Sequence, residues 1–367
     1  MNSRQFSEAG PAPRHGSRRI LVVRLSAMGD IIHALPAITA LRAARPELEI
    51  GWLVEERWAE LLCAQGSDRR AARSENKPLA DWVHVSNFSS WRRAPFSDET
   101  WREIRSCYAE VRAMNYDVAL DMQGAIRSAL AARFSGAAMR IGSAQPREGP
   151  ARMLYTRAIQ PHGMHVVEQG LALASVLAGG ALPYLGAQLP RDGMAENWAE
   201  AFLQPFQGKP LAILNPGAGW GAKRWPAESY GAVACALAKH GMAVLINHGP
   251  GEEGLAETVR SASGGAAHPL KCTVGELIAI TRRAQLFLGG DTGPMHLAAA
   301  LRVPVVALFG PTRPERNGPF ATRSVVLRSP ASRNNPSHID RPDEGLLSIA
   351  PGEVIAAAEQ LLGKTVG

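Results

Sequence analysis

Arg19-Ile20-Leu21-Val22-Val23-Arg24 runs straight into Leu25-Ser26-Ala27-Met28-Gly29-Asp30-Ile31-Ile32-His33-Ala34-Leu35-Pro36, and the reading of this join decides the fold. The first segment is apolar and β-branched, the signature of a strand buried in a parallel sheet. Ala37 to Arg45 reads as the helix that follows. In an open α/β sheet a strand-to-helix turn lies at the carboxyl edge, where ligands bind. Ser26, Ala27 and Gly29 leave room for another group to approach the backbone, and Gly29 permits a positive φ. Asp30 falls at the helix start, where the dipole and unpaired N–H groups favour an anion. Two readings of it stay open: an N-cap, or a general base at the mouth of a cleft.

The alternation repeats outward from this point. Leu48–Val54 and Trp82–Val85 read as strands, Glu56–Gln65 and Asp98–Met114 as helices, and Asp68–Lys77 as a basic loop. Asp117–Asp121 and Met139–Gly142 read as strands, with helices over Ala125–Phe134 and His165–Leu177. After a proline-containing stretch with one short helix around Glu196–Phe202, a second series follows: strands at Leu211–Leu214, Ala243–Asn247, Leu286–Leu288 and Val303–Phe309. Helices between them run from Pro226 to His240, Gly251 to Ser261, Thr273 to Arg283 and Met295 to Ala300, with Thr273 and Glu276 as a capping box. Strands alternating with helices imply parallel sheets. The expected organisation is a disordered leader (1–17), a first Rossmann-like domain (18–182), a linker (183–210), a second Rossmann-like domain (211–350) and a C-terminal helix (351–367).

The 367 residues suffice for two cores, and 46% hydrophobic content is that of a globular chain. The net charge of +7 permits an anionic partner. Four cysteines without a Cys-x-x-Cys pair suggest neither zinc nor a disulfide framework, and a reducing cytoplasm is the simplest setting. No run is long and apolar enough to span a bilayer.

Several further stretches suit chemistry. Gly289-Gly290-Asp291-Thr292-Gly293-Pro294 ends a strand and opens a helix, which groups free N–H donors as a diphosphate requires. Thr292 and Gly293 offer those donors, and His296 one turn on is either a further anion ligand or a packing residue. Asp291, itself anionic, reads as a cap or as an acceptor from a sugar hydroxyl. Lys223-Arg224 beside the Gly-rich Asn215–Trp220 loop suits a phosphate, or is ordinary surface charge over a packed Trp225. Glu252 or Glu253 could accept from ribose hydroxyls, as acidic residues do in dinucleotide folds. Thr312 borders the same edge. In the first half, Asp121-Met122-Gln123-Gly124 with Arg127 lies at a strand's carboxyl end, and Trp91-Arg92-Arg93 offers cations for an acidic ligand.

Ser-x-Met-Gly-Asp-x-x-His-x-Leu-Pro-Ala and Asp-Thr-Gly-Pro-x-His-x-Ala-Ala together resemble the bacterial heptosyltransferases of lipopolysaccharide synthesis, which are inverting glycosyltransferases. The resemblance implies the GT-B fold, two Rossmann-like domains with parallel sheets facing across a cleft. It implies an ADP-heptose donor, a Kdo-lipid A acceptor, a cytoplasmic enzyme at the inner face of the membrane, and no nucleic acid. It implies Asp30 as base, and donor binding by Lys223, Glu252 or Glu253, Asp291, Thr292, Gly293, His296 and Thr312. Acceptor binding would fall to Ser26, Met28, Gly29, Arg92, Arg93, Gln123 and Arg127. Glu55-Glu56 and the Asp121–Gly124 stretch match members that add the first heptose; a later step in the same family is the alternative. No Asp-x-Asp pair demands Mg²⁺, and no cofactor is expected. A nicotinamide oxidoreductase is disfavoured by the missing Gly-x-Gly-x-x-Gly. A non-catalytic sugar-nucleotide-binding protein would have no need of Asp30.

Overall fold

The computed structural model describes residues 19–333 and 341–363. The expected leader and part of 329–348, a stretch without a family counterpart, lie outside the described residues. The first unit runs to Gly163 and resumes over Val167–Pro190. Its elements are β1 (Arg19–Val23), α1 (Met28–Ala44), β2 (Glu49–Glu55), β3 (Trp82–Ser86), α2 (Phe88–Arg93), α3 (Asp98–Ala113), β4 (Val118–Asp121), α4 (Ile126–Phe134), β5 (Met139–Ser143), β6 (Arg157–Ile159) and α5 (Val166–Ala178). The strands form one sheet in the order β3-β2-β1-β4-β5-β6, every pair parallel.

The second unit comprises Met164–Val166 and the chain from Arg191 onward. It contains α6 (Gly193–Leu203), β7 (Leu211–Asn215), α7 (Ala227–Lys239), β8 (Ala243–Asn247), α8 (Glu253–Ala262), β9 (Ala267–Leu270) and α9 (Val274–Thr281). It continues through β10 (Leu286–Gly290), α10 (Gly293–Ala300), β11 (Val305–Phe309), α11 (Pro314–Asn317), β12 (Ser324–Arg328), α12 (Glu344–Leu347) and α13 (Pro351–Leu362). Its sheet is again fully parallel, in the order β12-β11-β10-β7-β8-β9. In both sheets the first strand sits in the middle and the fourth lies on its other side, so each has a topological switch point, between β1 and β4 and between β7 and β10. Apolar clusters fill both faces of the second sheet, one against α7, α8 and α13 and the other against α6, α9 and α10.

The expected start of the first helix and the helix expected over Glu56–Gln65 are corrected. The first helix begins at Met28 and passes through Pro36, where it was expected to start only at Ala37. Nearly every residue from Met28 to Arg42 is buried. Packing on all sides offsets the hydrogen bond that Pro36 cannot make, typically ~3 kcal/mol. Gly29 therefore lies in a helical first turn and has no positive φ. Glu56–Leu61 is a short 3₁₀ segment, not a helix to Gln65. The basic loop 68–77 is structural: Lys77 is buried, and its Nζ donates to the carbonyls of Arg69 (3.1 Å), Asp81 (2.6 Å) and Ala71. Arg69, Arg70 and Arg73 pair with Glu56, Glu110 and Asp81. Of the stretch 183–210, the part from Arg191 belongs to the second unit, where Arg282 and Arg283 hold Glu196 of α6 at 2.9 and 2.5 Å.

Candidate active site

At the first unit's switch point, the β1–α1 turn and the β4–α4 turn are tied together side by side. Gln123 Oε1 accepts from the Leu25 amide at 2.9 Å, and Arg24 donates through Nη1 to the Met122 carbonyl. The same guanidinium reaches the helix start: Arg24 Nη2 lies 3.0 Å from Asp30 Oδ1, and Nε donates to the Asp30 carbonyl at 3.0 Å. Asp30 Oδ2 accepts from the Ala27 amide at 3.3 Å. Asp30 is therefore not the N-cap, which is Ala27; it is the third residue of α1, its carboxylate reaches back to the N-cap amide, and its side chain stays 38% exposed. Arg24 was not singled out from sequence; it reads there as the polar end of a strand.

Ser26 and Arg127 meet beside this turn. Ser26 is buried, and its Oγ accepts from Arg127 Nη2 at 2.6 Å. Burial lowers the Arg127 pKa; Glu55 opposes this, and Arg92 and Arg147 add to it. Arg92 therefore belongs to the same field as Arg127, while Arg93 is exposed beside it. Gln123 is buried, and its Nε2 has no hydrogen-bond partner among the described residues. Met28 is buried at the start of α1, and Gly29 follows it in the same turn. Asp121 shapes the turn: Oδ1 accepts from the Gln123 and Gly124 amides at 2.8 and 3.1 Å, and Oδ2 from Ser128 and Tyr155 hydroxyls at 2.9 and 2.7 Å. Burial raises its pKa against those bonds. Gly124 has φ +70°, and a Cβ there would lie 3.0 Å from the Arg147 amide nitrogen.

At the second unit's switch point, β7 and β10 end at Asn215 and Gly290. Thr292 is the N-cap of α10, and neither it nor Asp291 caps the helix with its side chain. The Gly293 and Met295 amides thus stand in the first turn, where no intrahelical acceptor exists. Asp291 is buried between two partners: Lys223 Nζ at 2.7 Å from Oδ2, and His296 Nε2 at 3.0 Å from Oδ1. Burial disfavours its charge, but the His296 bond and the Lys223 ammonium outweigh burial and hold the carboxyl well below the usual range. The expectation of Asp291 as a cap is therefore corrected; its position before the N-cap turns it inward. His296 is buried and turned to Asp291. Lys223 also donates to the Asp291 carbonyl at 3.1 Å and sits 5.5 Å from the Trp220 ring centroid.

Glu252 and Glu253 separate. Glu252 Oε2 accepts from the Gly249 amide at 2.8 Å, and its carboxylate lies against Gly217, where an added Cβ would meet it at 2.3 Å. Glu253 is exposed and faces Lys271 at 3.7 Å. Only Glu252 borders the β7 loop. Thr312 Oγ1, after β11, is buried without a hydrogen-bond partner among the described residues. Sequence reasoning missed the buried amide pair behind this edge: Asn247 Nδ2 donates to Asn215 Oδ1 at 2.6 Å, and Asn215 Nδ2 donates to Thr292 Oγ1 at 3.3 Å. The identical position of both asparagines at strand ends was the available signal.

Known proteins match this arrangement. The family model described as glycosyltransferase family 9 (heptosyltransferase) matches residues 104–344. Lipopolysaccharide heptosyltransferase 1 of Pseudomonas aeruginosa is 30% identical over 85% of this chain and 84% of that protein. Lipopolysaccharide heptosyltransferase 3 of Escherichia coli is 26% identical over 91% of this chain and 95% of that protein. The solved E. coli heptosyltransferase WaaC with ADP superposes with a TM-score of 0.75 at 25% identity, over 94% of this chain and 99% of that one. The family 9 glycosyltransferase of Veillonella parvula has the same fold, with a TM-score of 0.79 at 22% identity over 96% and 100% of the two chains. The expected GT-B architecture agrees with these relatives, and the chain belongs to glycosyltransferase family 9.

Proposed function

We propose that this glycosyltransferase moves heptose from ADP-heptose to a Kdo hydroxyl of the lipopolysaccharide inner core, with inversion. Asp30 carries the proposal: an accessible carboxylate at a switch point, oriented by Arg24 and the Ala27 amide. It takes the proton as the acceptor hydroxyl attacks the anomeric carbon from the face opposite ADP. Arg127, Arg92 and Arg93 meet the acceptor's acidic groups, and the free Gln123 Nε2 donates to one of its oxygens. On the donor side, Lys223 has a third ammonium proton beyond the two engaged by Asp291. With Thr292 and the Gly293 amide it stabilises the departing diphosphate, so no second carboxylate is needed to protonate the leaving group. Glu252 accepts from the ribose hydroxyls, and Thr312 donates along the same edge. Asp291 and His296 hold Lys223 in place. The reaction runs in the cytoplasm at the inner face of the membrane.

The relatives named heptosyltransferase 1 and heptosyltransferase 3 make the step the finer question. A donor screen with two acceptors, Kdo-lipid A and the same lipid already carrying heptose, read by mass, answers it. We expect one heptose added to Kdo-lipid A from ADP-heptose. Addition only to the heptosylated acceptor moves the enzyme to a later step, and no addition to either overturns the reading.

A further inference from the structure

Four of the exposed large apolar side chains of the first unit, Trp101, Ile126, Leu130 and Phe134, lie on α3 and α4. On α4, Ile126, Leu130 and Phe134 recur every fourth residue and are 40%, 37% and 44% exposed, which makes one stripe along the helix. Phe134 meets Tyr108 of α3 edge-on, with 5.4 Å between ring centroids, and Arg112 of α3 donates through Nε to the Phe134 carbonyl at 2.7 Å. These contacts lay α3 beside the stripe. Trp101, 51% exposed, precedes Tyr108 by two turns and so shares its face of α3. Soluble surfaces scatter such residues singly; a contiguous set marks an interaction site.

Charge selects the occupant. Residues 88–157 contain eleven arginines, no lysine and seven acidic residues. Most of the acids are engaged within the unit: Asp121 by Tyr155 and Ser128, Glu103 by the Trp91 indole, Glu110 by His84 and Arg70, Glu148 by the Ile126 amide, Asp117 by the Arg19 amide. Arg102, Arg105 and Arg133 are exposed and make no hydrogen bond or ion pair among the described residues. We propose that this α3–α4 face docks on an anionic lipid bilayer, with Trp101 and the α4 stripe at interfacial depth and the arginines on lipid phosphates. A second copy of the chain seated on the same face would set arginine against arginine. The stripe begins at Ile126, next to Arg127, whose guanidinium reaches Ser26 in the Asp30 turn. A lipid-anchored acceptor would thus meet the base while its acyl chains stay in the membrane. That last link rests on the acceptor proposed above; bilayer binding does not.

The test is co-sedimentation of the full chain with vesicles of phosphatidylethanolamine and phosphatidylglycerol, against pure phosphatidylcholine, without donor or acceptor. We expect binding to the anionic vesicles only, and at least about tenfold weaker binding for Trp101→Asp with Leu130→Asp, since two apolar side chains leave the interface. Arg102→Gln with Arg105→Gln and Arg133→Gln should bind as weakly at low salt, and this triple change gives the answer if the double variant fails to fold. Turnover on a soluble, delipidated Kdo acceptor should match wild type in both. Wild type that ignores anionic vesicles, or variants that bind like wild type, would overturn the proposal. So would a wild-type dimer that the Trp101 and Leu130 changes dissociate without altering vesicle binding. Failure of transfer to Kdo leaves the vesicle result standing, so the two readings fail separately.

Discussion

Asp30 and Asp291 occupy comparable places, each beside the turn at a switch point, yet their surroundings assign them different work. Asp30 keeps 38% of its side chain exposed, while Asp291 keeps 6%. Only Asp30 is accessible to a substrate hydroxyl. Asp30→Ala should lower turnover by about a hundred- to ten-thousand-fold and leave ADP affinity unchanged by calorimetry, because the proposed nucleotide site is in the other unit. Near-wild-type turnover in the folded variant would remove Asp30 from the chemistry. Asp291→Asn instead strips a largely buried ammonium of its counter-charge, which should cost about 3 kcal/mol of stability at neutral pH. The folded-state pKa of Asp291 lies below its unfolded value of about 3.9. On acidification the unfolded chain therefore takes up the proton first. The stabilisation is present above about pH 4 and is lost as the pH falls towards the folded-state pKa. Urea melts of wild type and variant should show a gap that is wide at neutral pH and narrows in acid; a constant gap would mean that the carboxylate charge is not the source.

At the scale of elements, the loop after β7 and the start of α8 meet through Gly217 and Glu252. An added Cβ at Gly217 would press on the carboxylate end of a flexible side chain, not on backbone. Gly217→Ala should therefore leave the melting temperature nearly unchanged and displace Glu252. If Glu252 holds the ribose, ADP binding weakens by roughly tenfold, the worth of one hydrogen bond to a charged group; unchanged ADP affinity would release Glu252 from that role. Elements with strong local signals were legible from sequence: the apolar central strands, and α9 with its Thr273–Glu276 capping box, whose Thr273 Oγ1 accepts from the Glu276 amide at 3.2 Å. The start of α1 was not legible, because Pro36 and the small residues before it signal a turn by local rules, and tertiary burial overrides them. Edge strands β6, β9 and β12 were also missed. They are three to five residues long, and β9 contains Pro269, which an edge strand tolerates because one side of its ladder is unpaired.

At the scale of the whole molecule, the proposed acceptor and donor sites fall in different units, so perturbations should separate too. Arg92 and Arg93 are exposed cations on the unit that holds Asp30. Arg92→Ala with Arg93→Ala should raise the acceptor KM several-fold at low ionic strength. The effect should shrink towards wild type at high salt, where the Debye length falls to about 3 Å at 1 M. The donor KM should not move. Steady-state kinetics at two salt concentrations checks this, and a defect confined to the donor would relocate the acceptor site.

What the sequence by itself determined was everything carried by local periodicity and chain order. That covers the repeated βαβ alternation, the turn bearing Asp30, the helix start at Asp291-Thr292-Gly293, and the Asp121–Gly124 turn. What only the tertiary structure decided was the partner of each charge. Arg24 meets the Met122 carbonyl, Lys223 meets Asp291, and Asn247 meets Asn215 because parallel strands far apart in sequence become neighbours. Packing likewise separates Glu252 from Glu253, since one faces the β7 loop and the other Lys271. Periodicity reports which side of an element faces the core; it holds no information on which distant turn lies against it, and that is fixed by strand order and burial.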